Sequence, residues 1–248
     1  MIEVRNISKS FGKVRAVHNL SFKVDTGEVF GLLGPNGAGK TTALRILGTL
    51  LRADSGEATV AGHSVSREPE RVRRIIGVVN GGMGLYDRLT GREVLHYFGR
   101  LYGMKRAAVN ARIGELDNLL TLGDALTRRV GDFSTGMKQK IVIARAVLHD
   151  PPVIFFDEAT SGLDVMARRA VLDVVREYPN RGRAVIYSTH VMSEADELCD
   201  RAAVLYRGHL IAEEGIDVLK DRTGADSLEQ AFFRLVEESE PVTKGEAA

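Results

Sequence analysis

Residues 34 to 42 carry the strongest chemical signal in the chain. Gly34-Pro35-Asn36-Gly37-Ala38-Gly39-Lys40-Thr41 sets glycines, a lysine and a hydroxyl at the spacing of a phosphate-binding loop, and Thr42 follows. Glycines let the backbone curl so that successive N–H groups point inward at phosphate oxygens. Lys40 would reach the β/γ-phosphates, and the Thr41 hydroxyl would bind Mg²⁺. A helix opening near Gly39 adds its positive dipole end. The plain alternative is a glycine-rich turn with no ligand. The pattern arises by chance in on the order of one chain in a hundred. Here it also lies between the apolar pair Val29-Phe30 and a helical pattern of Ala43, Leu44, Ile46, Leu47, Leu50 and Leu51. A second signal is the apolar run Val153–Phe156 ending in Asp157-Glu158. Ligands of open α/β sheets bind at the carboxyl ends of strands. Asp157 is placed there to hold Mg²⁺, and Glu158 to orient and deprotonate an attacking water. A strand end turning polar at the surface is common, but the loop upstream favours the catalytic reading.

The elements that must position these groups follow from periodicity. Alternation over residues 1–30 reads as strands, with turns at Gly12-Lys13 and Asp25–Gly27. A further strand pair fits Glu57–Val60 and His63–Val65, and Ile75–Val79 reads as a buried strand. Residues 84–150 turn helical. Thr90-Gly91-Arg92-Glu93 is a capping box, and Val94, Leu95, Phe98, Leu101 and Tyr102 then share a face. Ile113, Leu116, Leu119 and Leu120 mark a second helix, and a third starts near Ser134 and stops at Pro151-Pro152. Strand–helix alternation resumes from Val153 to a last amphipathic helix over 227–238, with residues 239–248 expected to be a disordered tail. The expected architecture is α/β: a parallel-sheet nucleotide-binding core (about 1–82 and 151–222), an N-terminal antiparallel β subdomain and an inserted helical subdomain (about 84–150).

Composition excludes several classes. The 248 residues are 44% hydrophobic and 27% charged, with a net charge of +1, so no global basic field invites nucleic acid. Arg71, Arg73 and Arg74 form a local cluster that reads as a solvated face rather than a binding patch. One cysteine, Cys199, rules out an internal disulfide and reads as a small core residue. No apolar run is long enough to span a bilayer, and the chain opens without a signal-peptide apolar region. The expectation is a cytoplasmic protein.

Two more segments bring a family into view. Phe133-Ser134-Thr135-Gly136-Met137-Lys138-Gln139-Lys140 lies just before the strand with Asp157, and Ala159-Thr160-Ser161-Gly162-Leu163-Asp164 just after it; Ser188-Thr189-His190 closes a later strand. With these, nearly the whole chain resembles the ATP-binding subunits of ABC transporters. The resemblance implies that Ser134, Thr135, Gly136 and Met137 occupy the signature loop usually written LSGGQ, and that Ser134 and Gly136 clamp ATP held by a second copy. It implies that Ser161, Gly162, Leu163 and Asp164 form the D-loop at the dimer interface. It makes His190 the switch histidine at the γ-phosphate, and Phe11 the aromatic that stacks on adenine. The implied partners are an integral membrane permease and a second ATP-binding subunit, with no nucleic acid. The implied location is peripheral, on the inner face of the cell membrane. Leu85–Thr90 and the 133–140 segment look most like the sodium-exporter (Nat) type.

The sequence departs from the family pattern at four places. Thr135 and Met137 replace Gly and Gln, and Ala159 replaces Pro. Where the family places a Mg²⁺-sensing glutamine, Gly81 falls, with Asn80 beside it; Asn80, a backbone carbonyl or water would take its place. Two other functions compete with the transport motor. A DNA- or ribosome-directed ATPase of this family would carry a long coiled coil or two ATPase halves, and neither is present. A regulator with little turnover would not need Glu158 and His190.

Overall fold

Two kinds of apolar pattern build the molecule, a computed structural model that describes residues 1–80 and 84–245, the side chains of Arg181 and of residues 240–245 excepted. Alternating residues form β1 (Ile2–Phe11) and β2 (Val14–Val24), an antiparallel hairpin. Continuous apolar runs form strands buried on both faces, beginning with β3 (Val29–Leu33). The phosphate-loop segment then enters α1 (Lys40–Leu47). β4 (Ser55–Val60), β5 (His63–Ser64), α2 (Pro69–Ile75) and β6 (Ile76–Asn80) follow. α3 (Gly91–Leu101), α4 (Arg106–Leu120) and α5 (Thr135–Val147) make the helical stretch. β7 (Val153–Asp157), α6 (Val165–Glu177), β8 (Ala184–Thr189) and α7 (Met192–Leu198) restore alternation. β9 (Arg201–Tyr206), β10 (His209–Gly215), α8 (Ile216–Thr223) and α9 (Leu228–Gly245) complete the chain.

The strands form two sheets. One is antiparallel in the order β2-β1-β4-β5; the other runs β10-β9-β3-β8-β7-β6, parallel except for the β9–β10 hairpin. The larger sheet is the middle layer. Ile154 and Phe156 of β7 point into a core shared with α3–α7, while Val153 and Phe155 point into a core shared with α1, α2 and the smaller sheet. Strand β8 divides the same way, with Val185 and Tyr187 on one side and Ala184 and Ile186 on the other. The carboxyl ends of β3, β7 and β8 therefore come out at one edge.

Several expectations need correction. α1 stops at Leu47, where the Gly48 N–H donates to the Leu44 carbonyl and the Thr49 N–H to the Ile46 carbonyl; Leu50 lies outside the helix and is exposed. Leu101 and Tyr102 end α3 beyond its packed face, so Leu101 is exposed although Val94 and Leu95 are buried; Leu119 of α4 is exposed too. α2 and α8 stand where no element had been assigned; α2 buries Val72 and leaves its arginines outside. α9 runs past the expected end at 238 because its buried stripe of Leu228, Ala231 and Leu235 continues to Ser239. Gly81 and residues 246–248 lie outside the described residues.

Candidate functional site

The loop between β3 and α1 gets its shape from close backbone approach. A Cβ on Gly34, at φ +147°, would fall 2.2 Å from the Leu205 carbonyl oxygen, and one on Gly39, at φ +103°, would fall 2.5 Å from that of Ala16. No side chain fits at either position, so β9 and β2 press the loop into a tight curl. Ala38 N–H donates to the Pro35 carbonyl at 3.2 Å, and Asn36 and Gly37 stay exposed at the crown. Gly39 is the N-cap of α1, so the first free N–H groups of that helix open at the loop.

Side chains from the start of α1 and from the ends of β7 and β8 converge beside it. Lys40 is buried; its ammonium donates to the Gly34 and Pro35 carbonyls at 2.7 and 3.0 Å and lies 3.3 Å from Glu158 Oε1. Burial pulls its pKa below the usual lysine value against the opposing pull of Glu158. Thr41 Oγ1 donates to Asp157 Oδ1 at 3.1 Å, and Ser188 Oγ donates to the same oxygen at 3.2 Å. His190 Nδ1 stands 3.5 Å from Glu158 Oε1. Glu158 has a left-handed backbone (φ 49°), uncommon for a residue with a side chain, and is held by its N–H on the Ser188 carbonyl at 3.0 Å. Strained backbone of this kind clusters at functional sites. Lys40, Thr41, Asp157, Glu158 and His190 thus lie together beside the phosphate loop, with Thr42 in the same first turn of α1.

The donor set suits a hard divalent cation. Thr41 and Asp157 offer a hydroxyl and a carboxylate, the oxygen ligands Mg²⁺ takes. Burial raises the Asp157 carboxyl pKa, as it does for a carboxylate with too little positive charge at hand. In the adjacent strand Asn80 pairs in register with Asp157, and its buried Oδ1 has no hydrogen-bond partner among the described residues. An amide oxygen left this way is a ready acceptor toward a cation or its water.

The other segments singled out in the sequence lie elsewhere. Ser134 is the N-cap of α5, where its Oγ accepts the Met137 N–H at 3.2 Å. Asp164 caps α6 by accepting the Ala167 N–H at 2.8 Å. Ser134, Gly136, Met137 and Asp164 border one open depression with Met166, and Gly136 lies close against Ala167. Ser161–Leu163 form the turn leading into α6, closed by Leu163 N–H on the Thr160 carbonyl. Among the described residues, 134–137 make no hydrogen bond or ion pair to residues 34–42. Phe11 sits at the β1–β2 hairpin tip, half exposed, with the Lys9 ammonium 5.8 Å from its ring centre. Asp54 pins that tip by accepting from Lys9 Nζ and the Ser10 N–H, both at 2.7 Å.

Comparison with known proteins settles the family. Residues 17–161 match the ABC transporter family. The chain belongs to the ABC transporter ATP-binding family. It is 40% identical to the ABC transporter ATP-binding protein NatA of Bacillus subtilis, over 94% of this chain and 97% of that one. It is 43% identical to the doxorubicin resistance ATP-binding protein DrrA of Mycobacterium tuberculosis, over 90% of this chain and 68% of that one. A dimeric ATP-binding cassette in a post-hydrolysis state with ADP and Pi superposes with a TM-score of 0.77 at 25% identity, covering 87% and 98% of the two chains. As an ABC ATPase subunit the protein binds and hydrolyses ATP. No described helix is long and apolar enough to cross a membrane.

Two further polar groups hold the site's supports in place. Gln139, two residues beyond Met137, is buried and donates to the Ala159 carbonyl at 3.0 Å, tying α5 to the turn after β7. Ser188 reads in sequence as a strand residue, yet it bonds Asp157. Its polar place in the otherwise apolar run Ala184–Tyr187 was the available signal.

Proposed function

We propose that this chain is the ATP-driven motor of an exporter, working as two copies against a separate integral membrane permease at the inner face of the cell membrane. The resistance named for the DrrA relative supports export, and the dimeric ADP–Pi cassette supports pairing. The observation that carries the reading is the convergence of Lys40, Asp157, Glu158 and His190 at one sheet edge, while Ser134 and Asp164 face outward on another surface.

In this reading the 34–42 backbone cradles the triphosphate and Phe11 stacks on the adenine. Lys40 exchanges its carbonyl partners for β- and γ-phosphate oxygens. Thr41 and Asp157 would hold Mg²⁺, which when bound neutralises charge developing on the phosphoryl oxygens. Glu158 accepts the proton of the attacking water, and His190, close enough to share Oε1, fixes that carboxylate and meets the γ-phosphate. Ser134 and Gly136, at the start of α5, bind the γ-phosphate on the partner copy through helix-end N–H groups.

Glu158→Gln tests the reading. Gln keeps the size of Glu but cannot take the proton, and it removes a negative charge near the γ-phosphate. With hydrolysis blocked and ATP part of the interface, mass action populates the closed pair. Light scattering on the eluting variant is expected to give a monomer without ATP and a dimer with it. A variant that binds ATP and stays monomeric at high concentration counts against pairing; one that hydrolyses at the wild-type rate removes Glu158 from its role.

A further inference from the structure

Behind His190 lies a buried carboxylate with no part in the chemistry above. Glu194 of α7 is 1% exposed. Its Oε2 accepts three hydroxyl hydrogen bonds: Tyr187 Oη at 2.7 Å, Thr189 Oγ1 at 3.0 Å and Thr160 Oγ1 at 3.1 Å. Its Oε1 stands 2.8 Å from Arg168 Nε of α6, an ion pair whose N–H does not point along the contact. All three hydroxyl groups are themselves buried. Burial pushes the Tyr187 phenol well above its usual pKa, so it remains a donor.

This is a costly way to fill space. Taking a carboxylate out of water carries a penalty that an apolar residue in the same helix, beside Ala195 and Leu198, would not incur. What the carboxylate supplies is direction. Thr189 Oγ1 donates to Glu194 and accepts the Val191 N–H at 3.0 Å, so the backbone is pinned on both sides of His190. Thr160 opens the turn through Ser161–Asp164, and the turn just before it is closed by the Ser161 N–H donating to the Glu158 carbonyl at 3.1 Å. Gln139 holds the preceding carbonyl of Ala159. One oxygen therefore joins the strand end that carries the histidine to the turn that leads toward the Ser134 face.

We propose that Glu194 is a positioning residue for turnover: it binds the His190 segment to the Thr160–Asp164 turn so that the two take up their working positions together. The inference rests on the role given to His190 above. Glu194 touches no reacting atom and lies outside the phosphate loop, so its loss acts on the rate rather than on nucleotide binding. Because it acts through His190, its effect depends on the histidine being present.

The test is a double-mutant cycle on the full chain, reading phosphate release in single-turnover reactions and ATP affinity by titration. Glu194→Gln keeps the volume and one acceptor oxygen but meets Arg168 with an amide in place of a charge. It is expected to slow turnover at least tenfold with ATP affinity within threefold of wild type. In a His190→Ala background the same change is expected to alter the rate less than twofold. Thr160→Val cuts only the arm to the turn and is expected to slow turnover several-fold with the same unchanged affinity; it carries the test if Glu194→Gln does not fold. Wild-type turnover in Glu194→Gln or Thr160→Val overturns the proposal. So does a parallel loss of ATP affinity, the mark of a general packing defect, or an equal slowing with and without His190. Wild-type turnover in His190→Ala alone would remove the histidine from the site and this inference with it.

Discussion

The phosphate-loop edge and the Ser134–Asp164 face are built on opposite principles. At the first, polar side chains satisfy one another within the chain: Lys40 has two carbonyls and Glu158, and Asp157 has Thr41 and Ser188. At the second, Ser134 and Asp164 are used on their own helix starts, and beside them Val165 and Met166 are 82% and 79% exposed. Large apolar side chains left in water next to open helix ends are the composition of a surface that expects a neighbour. One half pairs its polar groups within a single copy; in the proposed dimer the other meets its partner only across the interface.

The comparison breaks first at Lys40. Lys40→Ala should cut turnover by about 10²–10³, roughly 3–4 kcal/mol of transition-state stabilisation, and weaken ATP binding as well. Phosphate release and nucleotide titration on both forms check it; turnover at the wild-type rate would end the phosphate-loop reading.

The seam between the two halves is the next largest effect. The His149 ring stacks on Tyr102 at 3.7 Å between centres, and its Nε2 meets the Ile76 carbonyl at 3.1 Å, joining helical segment to sheet. Burial depresses its pKa from 6.5 to about 4, against the raising effects of that carbonyl and Asp150. Between those values the unfolded chain binds a proton that the folded chain refuses. The stability held by neutral His149 is therefore whole above pH 6.5 and falls as pH drops to about 4, by up to about 3 kcal/mol. Urea unfolding at several pH values should show that slope in wild type and a flatter one in His149→Gln. Equal slopes would clear the histidine of the effect.

Ser134→Ala sharpens the contrast itself. Loss of the cap should lower stability by about 1 kcal/mol, and turnover should drop about tenfold. ATP affinity of the isolated chain should not change, since Ser134 would serve the partner's nucleotide. Affinity falling in step with turnover would place Ser134 in its own chain's site.

The smallest effect is expected at Asn80. Asn80→Ala should slow hydrolysis only a few-fold, well short of Asp157→Ala, because a water can replace one amide oxygen but not a carboxylate fixed at a strand end. Activity against Mg²⁺ concentration decides this. An equal loss in the two variants would show that Asn80 has taken over the work of the glutamine usual in the family.

Much of this was legible from local rules. The Thr90–Glu93 capping box, the Ser134 cap and the start of α1 after Gly39 each depend on a few consecutive residues, and each forms where the sequence placed it. The buried strands were equally plain, because a run such as Val153–Phe156 has nowhere to go but a core. What escaped depends on distant partners. Nothing near Glu194 in sequence says that three hydroxyl groups from residues 160, 187 and 189 will converge on it. Leu101 has the spacing of core, yet its side chain points to solvent while the next residue, Tyr102, stacks on His149. α2 was hidden because only Val72 among its seven residues is buried, too thin an apolar stripe to give a period.

The position of β3 has a consequence for how the chain is made. Its neighbours in the sheet are β8 and β9, which register Val29 with Val185 and Phe30 with Arg201. A ribosome that has finished β3 must add about 150 more residues before either neighbour exists, roughly 8–30 s at ordinary elongation rates. Through that interval Val29–Leu33 is an apolar strand with two unpaired edges, the kind of segment that chaperones shield and aggregates recruit. The phosphate loop hangs from its end, so a nascent chain cannot bind ATP until most of the protein has been synthesised. Premature termination anywhere before Ala184 yields a product with its nucleotide loop unsupported, which cannot compete with intact copies for ATP.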